Sequence, residues 1–471
     1  MNRTAPLLFA LLLASLAAAC SDDDPGVNGD AGPASDVLAA PDAFVAPFDP
    51  TVCGAKKHAW LPPGSMGKLL DSKWIQTFSL SKDALKTMLT LTDYKDIVQV
   101  EYGVQVYFFR YETQDRGKKV EATAALAFPD PSDGKPLKDL PTMLWLHGTS
   151  GFSDKCAPTY KIADAAAPAA LMASQGYIAV APDFIGMNGF GAASTVPHPY
   201  VVAESTAIAS LDALRAGHAL VKQEAKLVTA GKKFVPWGPS QGGHATLSTV
   251  TYASHYAPEF ELVAAVPLIA PVDIKGQAQA ALSAFSGSTA ILAGIIMAQA
   301  RWYGHEDKVK DVFVDKWVTE LPKLMDSSCS FNEKKRGVTA VTDLYKQKFI
   351  DAVVKNDYTG FDTVGCMLNE NSMTSTSVKV DKGAPMFFVV GENDELVDAA
   401  SQRKSFDAMC KAGYKMNYLE CKGANHVAGA LWSLPEQFAW VKDRLAGKAM
   451  TDMCKRPAAA CCKASDKAPC K

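Results

Sequence analysis

Five short runs of this sequence are almost wholly apolar: Thr142–Leu146, Tyr177–Ala181, Phe234–Trp237, Leu262–Ile269 and Pro385–Val390. A strand with one wet face alternates apolar and polar residues, whereas a run without alternation suits a strand buried on both faces. Between the runs lie helix-like stretches at Ala163–Ser174, Glu204–Leu220 and His244–Ala253. Buried strands separated by helices imply an α/β fold, with a mostly parallel central sheet and helices on both faces. Two earlier segments, Val104–Tyr111 and Val120–Phe128, are rich in residues that suit a pleated surface and read as an edge meander. Asn417–Cys421 reads as the last strand.

The alternation breaks once. From Asp273 to about Lys382 there is no clear buried strand. Ala278–Trp302 is strongly apolar and reads as a helix, and Lys308–Val318 and Val341–Val354 also show helical spacing. A membrane span over Ala278–Trp302 is opposed by Gln277, Gln279, Ser283, Ser286, Ser288 and Gln299. Residues 273–382 are therefore expected to form a helical cap inserted after the sixth strand, lining an acyl site or simply packing on the sheet. The sheet domain is expected over 51–272 and 383–448.

The sharpest motif is Gly238-Pro239-Ser240-Gln241-Gly242, which has the form G-x-S-x-G between a predicted strand and a predicted helix. A sharp strand-to-helix turn exposes its serine, brings backbone close to backbone and so favours glycines. The helix behind it adds partial positive charge. Asp394 follows the strand Pro385–Val390, with Glu392, Glu395 and Asp398 as rivals for an orienting acid. His426 follows the last strand, and an imidazole there can take a serine's proton and return it. Ser240, Asp394 and His426 thus fall in the order nucleophile, acid, base. An oxyanion hole would draw one N–H from Gln241 and a second from Leu146-His147-Gly148-Thr149-Ser150-Gly151, with Thr149 ahead of Gly148. Asp183, His147, His198 and His244 have structural readings and fall outside this triad.

Order and motifs together resemble the α/β-hydrolase superfamily over Val104–Leu445. The H-G loop, Ala181-Pro182-Asp183-Phe184-Ile185-Gly186 and the helical insert resemble the secretory lipase family, while Ser240-Gln241-Gly242-Gly243 is similar to bacterial esterases. The resemblance implies a serine hydrolase of carboxylic esters, including acylglycerols, that forms an acyl-enzyme and needs no cofactor. A peptidase or amidase of the same fold, and a non-catalytic surface lipoprotein, are the rival readings.

The net charge of −2 gives no electrostatic case for nucleic acid. No metal-ligand spacing or dinucleotide fingerprint appears. Arg3 and the apolar run Leu7–Ala19 have the form of an export signal. Ala17-Ala18-Ala19-Cys20, with Leu16 four places before the cysteine, resembles a lipobox. It implies acylation of Cys20 and an outer-membrane or cell-surface lipoprotein, with release after a plain secretory cut as the alternative. Residues 21–50 are poor in large apolar side chains and read as a tether. Of 11 cysteines, ten remain beside Cys20, an even number that favours disulfides. Cys410 with Cys421, and Cys329 with Cys366, are candidate pairs, and residues 449–471 form a cysteine-rich tail. Oligomeric state is not legible.

Overall fold

A computed structural model describes residue 49 and residues 51–90, 98–465 and 470. The expected export signal, Cys20 and all of the tether but Asp49 lie outside the described residues.

One sheet organises the chain. Its strands are β1 (Leu69–Trp74), β2 (Gly103–Asp115), β3 (Lys118–Asp130), β4 (Leu137–Trp145), β5 (Ile178–Pro182), β6 (Val228–Pro239), β7 (Glu261–Leu262), β8 (Val266–Leu268), β9 (Met386–Gly391) and β10 (Met416–Cys421). They lie in the order β1-β2-β3-β5-β4-β6-β8-β9-β10, with β7 beside β6. β1, β2 and β3 pair antiparallel, as do β3 and β5, and the remaining pairs are parallel. The fold is that of the α/β-hydrolases.

Both sheet faces are covered, which explains runs without alternation. Helix α1 (Ala163–Ala173) lies on one face, and α2 (Ala203–Glu224) and α3 (Gln241–Tyr256) on the other. On β4, Met143 joins the α1 layer while Leu144 joins the α2 layer; Ala179 and Val180 divide the same way on β5. The many alanines of α1 let it pack close to β3 and β5.

Between β8 and β9 the described residues form helices and turns: α4 (Ile274–Ser283), α5 (Gly287–Tyr303), α6 (Asp315–Ser327), α7 (Gln347–Val354) and α8 (Asp362–Glu370). They share their own apolar core, including Ile296, Trp317, Tyr345 and Phe349. The single helix expected over Ala278–Trp302 is two. Ala284 is extended, and the Ser286 N–H donates to Thr289 Oγ1 at 3.0 Å, which starts α5 afresh. Lys308–Val318 likewise splits, into one helical turn at Val309–Val312 and the start of α6. After β9 come α9 (Ala399–Lys411), then β10, then α10 (His426–Trp432) and α11 (Leu434–Leu445). No helix among the described residues is long and apolar enough to cross a membrane.

Ten cysteines form five disulfides: Cys53–Cys366, Cys156–Cys329, Cys410–Cys454, Cys421–Cys462 and Cys461–Cys470. Both candidate pairings are thereby corrected. Cys410 and Cys421 face the tail, because the tail runs along the free edge of β10: the Ala460 N–H donates to Glu420 O, and the Lys422 N–H to Ala460 O. Cys329 meets the loop after β4, and Cys366 meets the N-terminal segment. Such a disulfide set belongs to an exported chain.

The parallel strands end in register where loops can converge. Pro239 of β6 pairs with Leu268 of β8, Leu268 with Val389 of β9, and Gly391 with Cys421 of β10. Residues 240, 392–398 and 422–426 therefore share the carboxyl edge of the sheet, where α/β proteins place ligands.

Candidate active site

Ser240 occupies the turn between β6 and α3 with φ 55° and ψ −118°. A non-glycine residue at positive φ stores strain and is held only by its surroundings. Its N–H donates to Leu268 O at 2.9 Å, anchoring the turn to β8. A Cβ on Gly238 would lie 2.2 Å from Leu146 O, and one on Gly242 only 1.8 Å from the same atom. The glycines are thus required by backbone crowding against the strand that feeds the H-G loop. The side chain of Ser240 is half-buried.

Asp394 and His426 meet directly. His426 Nδ1 lies 2.8 Å from Asp394 Oδ1 and 2.9 Å from Oδ2, with both residues buried. The carboxylate also accepts from the N–H groups of Leu396 and Val397 and from Gln402 Nε2. An acceptor facing Nδ1 puts the ring proton there and leaves Nε2 with a lone pair. The rival acids have other partners. Glu392 accepts from the Gly423 N–H, Glu395 from the His426 N–H, and Asp398 caps α9 through the Ser401 N–H. Among the described residues no hydrogen bond joins Ser240 Oγ to His426 Nε2.

The H-G loop passes beside the serine: a Cβ on Gly148 would lie 3.9 Å from Ser240 Cβ. Thr149 Oγ1 lies 2.6 Å from Tyr200 OH. Gln241 is buried, and its Nε2 lies 2.9 Å from His198 Nε2. The Thr149 N–H makes no hydrogen bond among the described residues, and the first N–H groups of α3 have no helical partner. His147 contacts Gly148 O and Asp183 O, and burial pushes its pKa down to about 4. Asp183 accepts from the Thr159 N–H and from the hydroxyls of Thr123 and Thr159. Burial pushes it up to about 7 against those bonds. It braces loops beneath the site. His244 points from α3 to Asn371 O, and burial lowers its pKa to about 4.

A narrow cavity opens from Ser240 and Gln241 toward the helical insert. Ile274, Leu292 and Ile295 line it from α4 and α5, and Leu396 from the loop after Asp394. It offers an apolar wall beside a strained serine. The described residues contain no cluster of His, Cys, Asp and Glu able to hold a metal ion. Two contributors had no sequence signal strong enough to single out, Tyr200 beside Thr149 and Gln402 beside Asp394.

Residues 162–453 match the family described as Secretory lipase. Lipase 5 of Candida albicans is 24% identical over 289 residues, 59% of this chain and 57% of that protein. The chain thus spans little more than half the length of that relative. The secreted triacylglycerol lipase LIP4 of Malassezia globosa is 24% identical over 358 residues, 69% of this chain and 72% of that one. Among solved structures, the rice cell wall degrading esterase LipA from Xanthomonas oryzae superposes with a TM-score of 0.66 at 20% identity, over 82% of this chain and all of its own. Candida antarctica lipase A in its closed state superposes with a TM-score of 0.61 at 16% identity, over 84% of this chain and 87% of its own. These two share the fold.

Proposed function

The chain belongs to the secretory lipase family, and on that footing we propose that it is a serine hydrolase of carboxylic esters acting through Ser240, His426 and Asp394. Ser240 Oγ attacks the ester carbonyl as His426 Nε2 takes its proton. Asp394 keeps the ring proton on Nδ1 and stabilises the imidazolium. The N–H groups of Gln241 and Thr149 meet the developing oxyanion. His426 then protonates the departing alcohol, and a water activated by the same nitrogen releases the acid from the acyl-enzyme.

The observation that carries this reading is the buried Asp394–His426 pair on the same sheet edge as a serine held at φ 55°. Strain at a nucleophile turn is tolerated because it exposes the hydroxyl. The apolar cavity beside Ser240 supports a lipid-like acyl group, with residues 273–382 as a cap over it. Acylation of Cys20 would hold the exported enzyme at a membrane, in keeping with a lipid ester substrate such as the triacylglycerol in the name of the Malassezia globosa relative.

Hydrolysis of p-nitrophenyl esters from short to long acyl chains, by wild type and Ser240→Ala side by side, tests the reading. Turnover that falls at least about a thousandfold in the variant supports it. Equal rates in both proteins, or turnover of anilides but not esters, would overturn it.

A further inference from the structure

Pro197-His198-Pro199-Tyr200 touches both loops assigned to the oxyanion. At one end, His198 Nδ1 lies 2.8 Å from Ile185 O, and Nε2 lies 2.9 Å from Gln241 Nε2. A carbonyl only accepts, so the proton sits on Nδ1 and Nε2 accepts from the Gln241 amide N–H. That assignment orients the Gln241 carboxamide. It leaves Gln241 Oε1 buried with no partner among the described residues. A buried acceptor left unpaired costs stability, so this side chain is held in place by His198 at the expense of its own hydrogen bonding. At the other end, Tyr200 OH meets Thr149 Oγ1 at 2.6 Å, and its ring packs edge-on to Phe152 at 5.1 Å.

The segment between these contacts is stiff. Two prolines fix φ at 197 and 199, and His198, preceding a proline, is confined to extended backbone. The Tyr200 N–H closes onto His198 O at 2.9 Å. Gly186, at φ +85°, is the floor beneath it: a Cβ there would lie 2.3 Å from the His198 backbone. His198 and Tyr200 are both buried. The far side is tied to the helical insert, where Gln299 Nε2 donates to Val201 O at 3.0 Å.

We propose that residues 197–200 form a rigid brace that fixes the spacing between the Gln241 and Thr149 N–H groups, with His198 and Tyr200 as positioning residues. The brace rests on the serine-hydrolase reading above. Gln241 is pinned through its side chain and Thr149 through its hydroxyl, so the backbone donors of both residues are set by one short segment. A donor displaced by about 1 Å loses much of its worth, since small misplacements cost about a hundredfold in rate.

The test uses the full-length protein and three variants, Tyr200→Phe, Thr149→Val and the double variant. Tyr200→Phe keeps the ring and its packing and deletes only the hydroxyl. Its kcat on p-nitrophenyl esters should fall about ten- to a hundredfold with KM within about twofold. The rate of covalent labelling by a fluorophosphonate should fall by the same factor. Thr149→Val, which removes the other half of the same hydrogen bond, should match it. The double variant should be no slower than either single one, because both delete one contact. An unchanged kcat in Tyr200→Phe and Thr149→Val, or losses that multiply in the double variant, would overturn the brace. Ser240→Ala, run alongside, separates the two ideas: if it abolishes turnover while Tyr200→Phe is silent, the brace alone fails. If it leaves turnover intact, the hydrolase reading fails.

Discussion

His426 offers one ring nitrogen to both oxygens of Asp394, at 2.8 and 2.9 Å. The same carboxylate takes two backbone N–H groups and the Gln402 amide, so its orientation is over-determined. Asp394→Asn keeps one oxygen, which the Leu396 and Val397 N–H groups claim, and turns an NH₂ toward the Gln402 amide and the ring, which would favour the tautomer with its proton on Nε2. A base that has lost its lone pair on the reacting side cannot deprotonate Ser240. The expected loss in kcat is about ten thousandfold with the fold intact. Glu395→Gln, which keeps an acceptor for the His426 N–H, should stay within about fivefold of wild type. Comparable losses in the two variants would show that Asp394 has no special role.

The serine turn depends on a close approach of two backbones. A Cβ at Gly242 would fall 1.8 Å from Leu146 O, inside van der Waals contact with an atom that cannot rotate away. Gly242→Ala should exceed the ~1–3 kcal/mol typical of overpacking and yield little soluble protein. Gly64, an exposed turn residue with nothing within 4 Å of such a Cβ, is the matched control. Gly64→Ala should change stability by less than ~1 kcal/mol in urea unfolding. A soluble, active Gly242→Ala would mean that the turn can relax.

Much of the sheet was legible because its strands are buried on both faces, and burial writes itself into composition. β1 was not, since Leu69–Trp74 lies at the edge with four of its six residues exposed and reads as polar chain. The break between α4 and α5 was hidden for the opposite reason. Apolar residues run through Ala284 and Phe285, and only the extended backbone at Ala284 separates the helices. Disulfide partners were beyond reach because they depend on which loops the fold brings together. Asp394 and His426 could be picked because each follows a recognisable strand. Tyr200 could not: it follows Pro199 in a loop, and its place beside Thr149 depends on how two distant loops fold together. The Pro-His-Pro-Tyr run was a hint of stiffness, but stiffness alone does not say what is being held.

His244 makes folding pH-dependent. Burial, opposed by its hydrogen bond to Asn371 O, takes its pKa from an ordinary 6.5 to about 4. The folded chain therefore binds fewer protons than the unfolded chain between those values. Its stability is full above pH 6.5 and falls as pH drops toward 4. His147 and His198, also lowered to about 4 by burial, act in the same direction. Asp183, raised to about 7 by burial, acts oppositely, and its contribution is lost as pH rises through 7. From pH 7.5 to pH 5, His244 alone should cost ~2 kcal/mol. Urea unfolding at both values should show His244→Gln losing ~2 kcal/mol less than wild type over that interval. Equal losses would mean that His244 is charged when folded or stays uncharged when unfolded.

The disulfides leave one sulfur to account for. Five bridges use ten of the 11 cysteines, and the eleventh is Cys20. A chain cut after Ala19 and left unmodified would carry a single thiol at its own N-terminus. An acylated chain would carry none, because its sulfur would be a thioether. Protein taken from the membrane fraction and unfolded without reductant should therefore show no thiol to Ellman's reagent. Its N-terminal peptide should weigh more by the lipid, and Cys20→Ala should leave the detergent phase for the aqueous one. Each buried CH₂ contributes ~0.8 kcal/mol to anchoring, so two or more chains hold firmly where one exchanges. One titratable thiol per chain, with Cys20 at a free N-terminus, would instead establish a plain secretory cut and a protein released into solution.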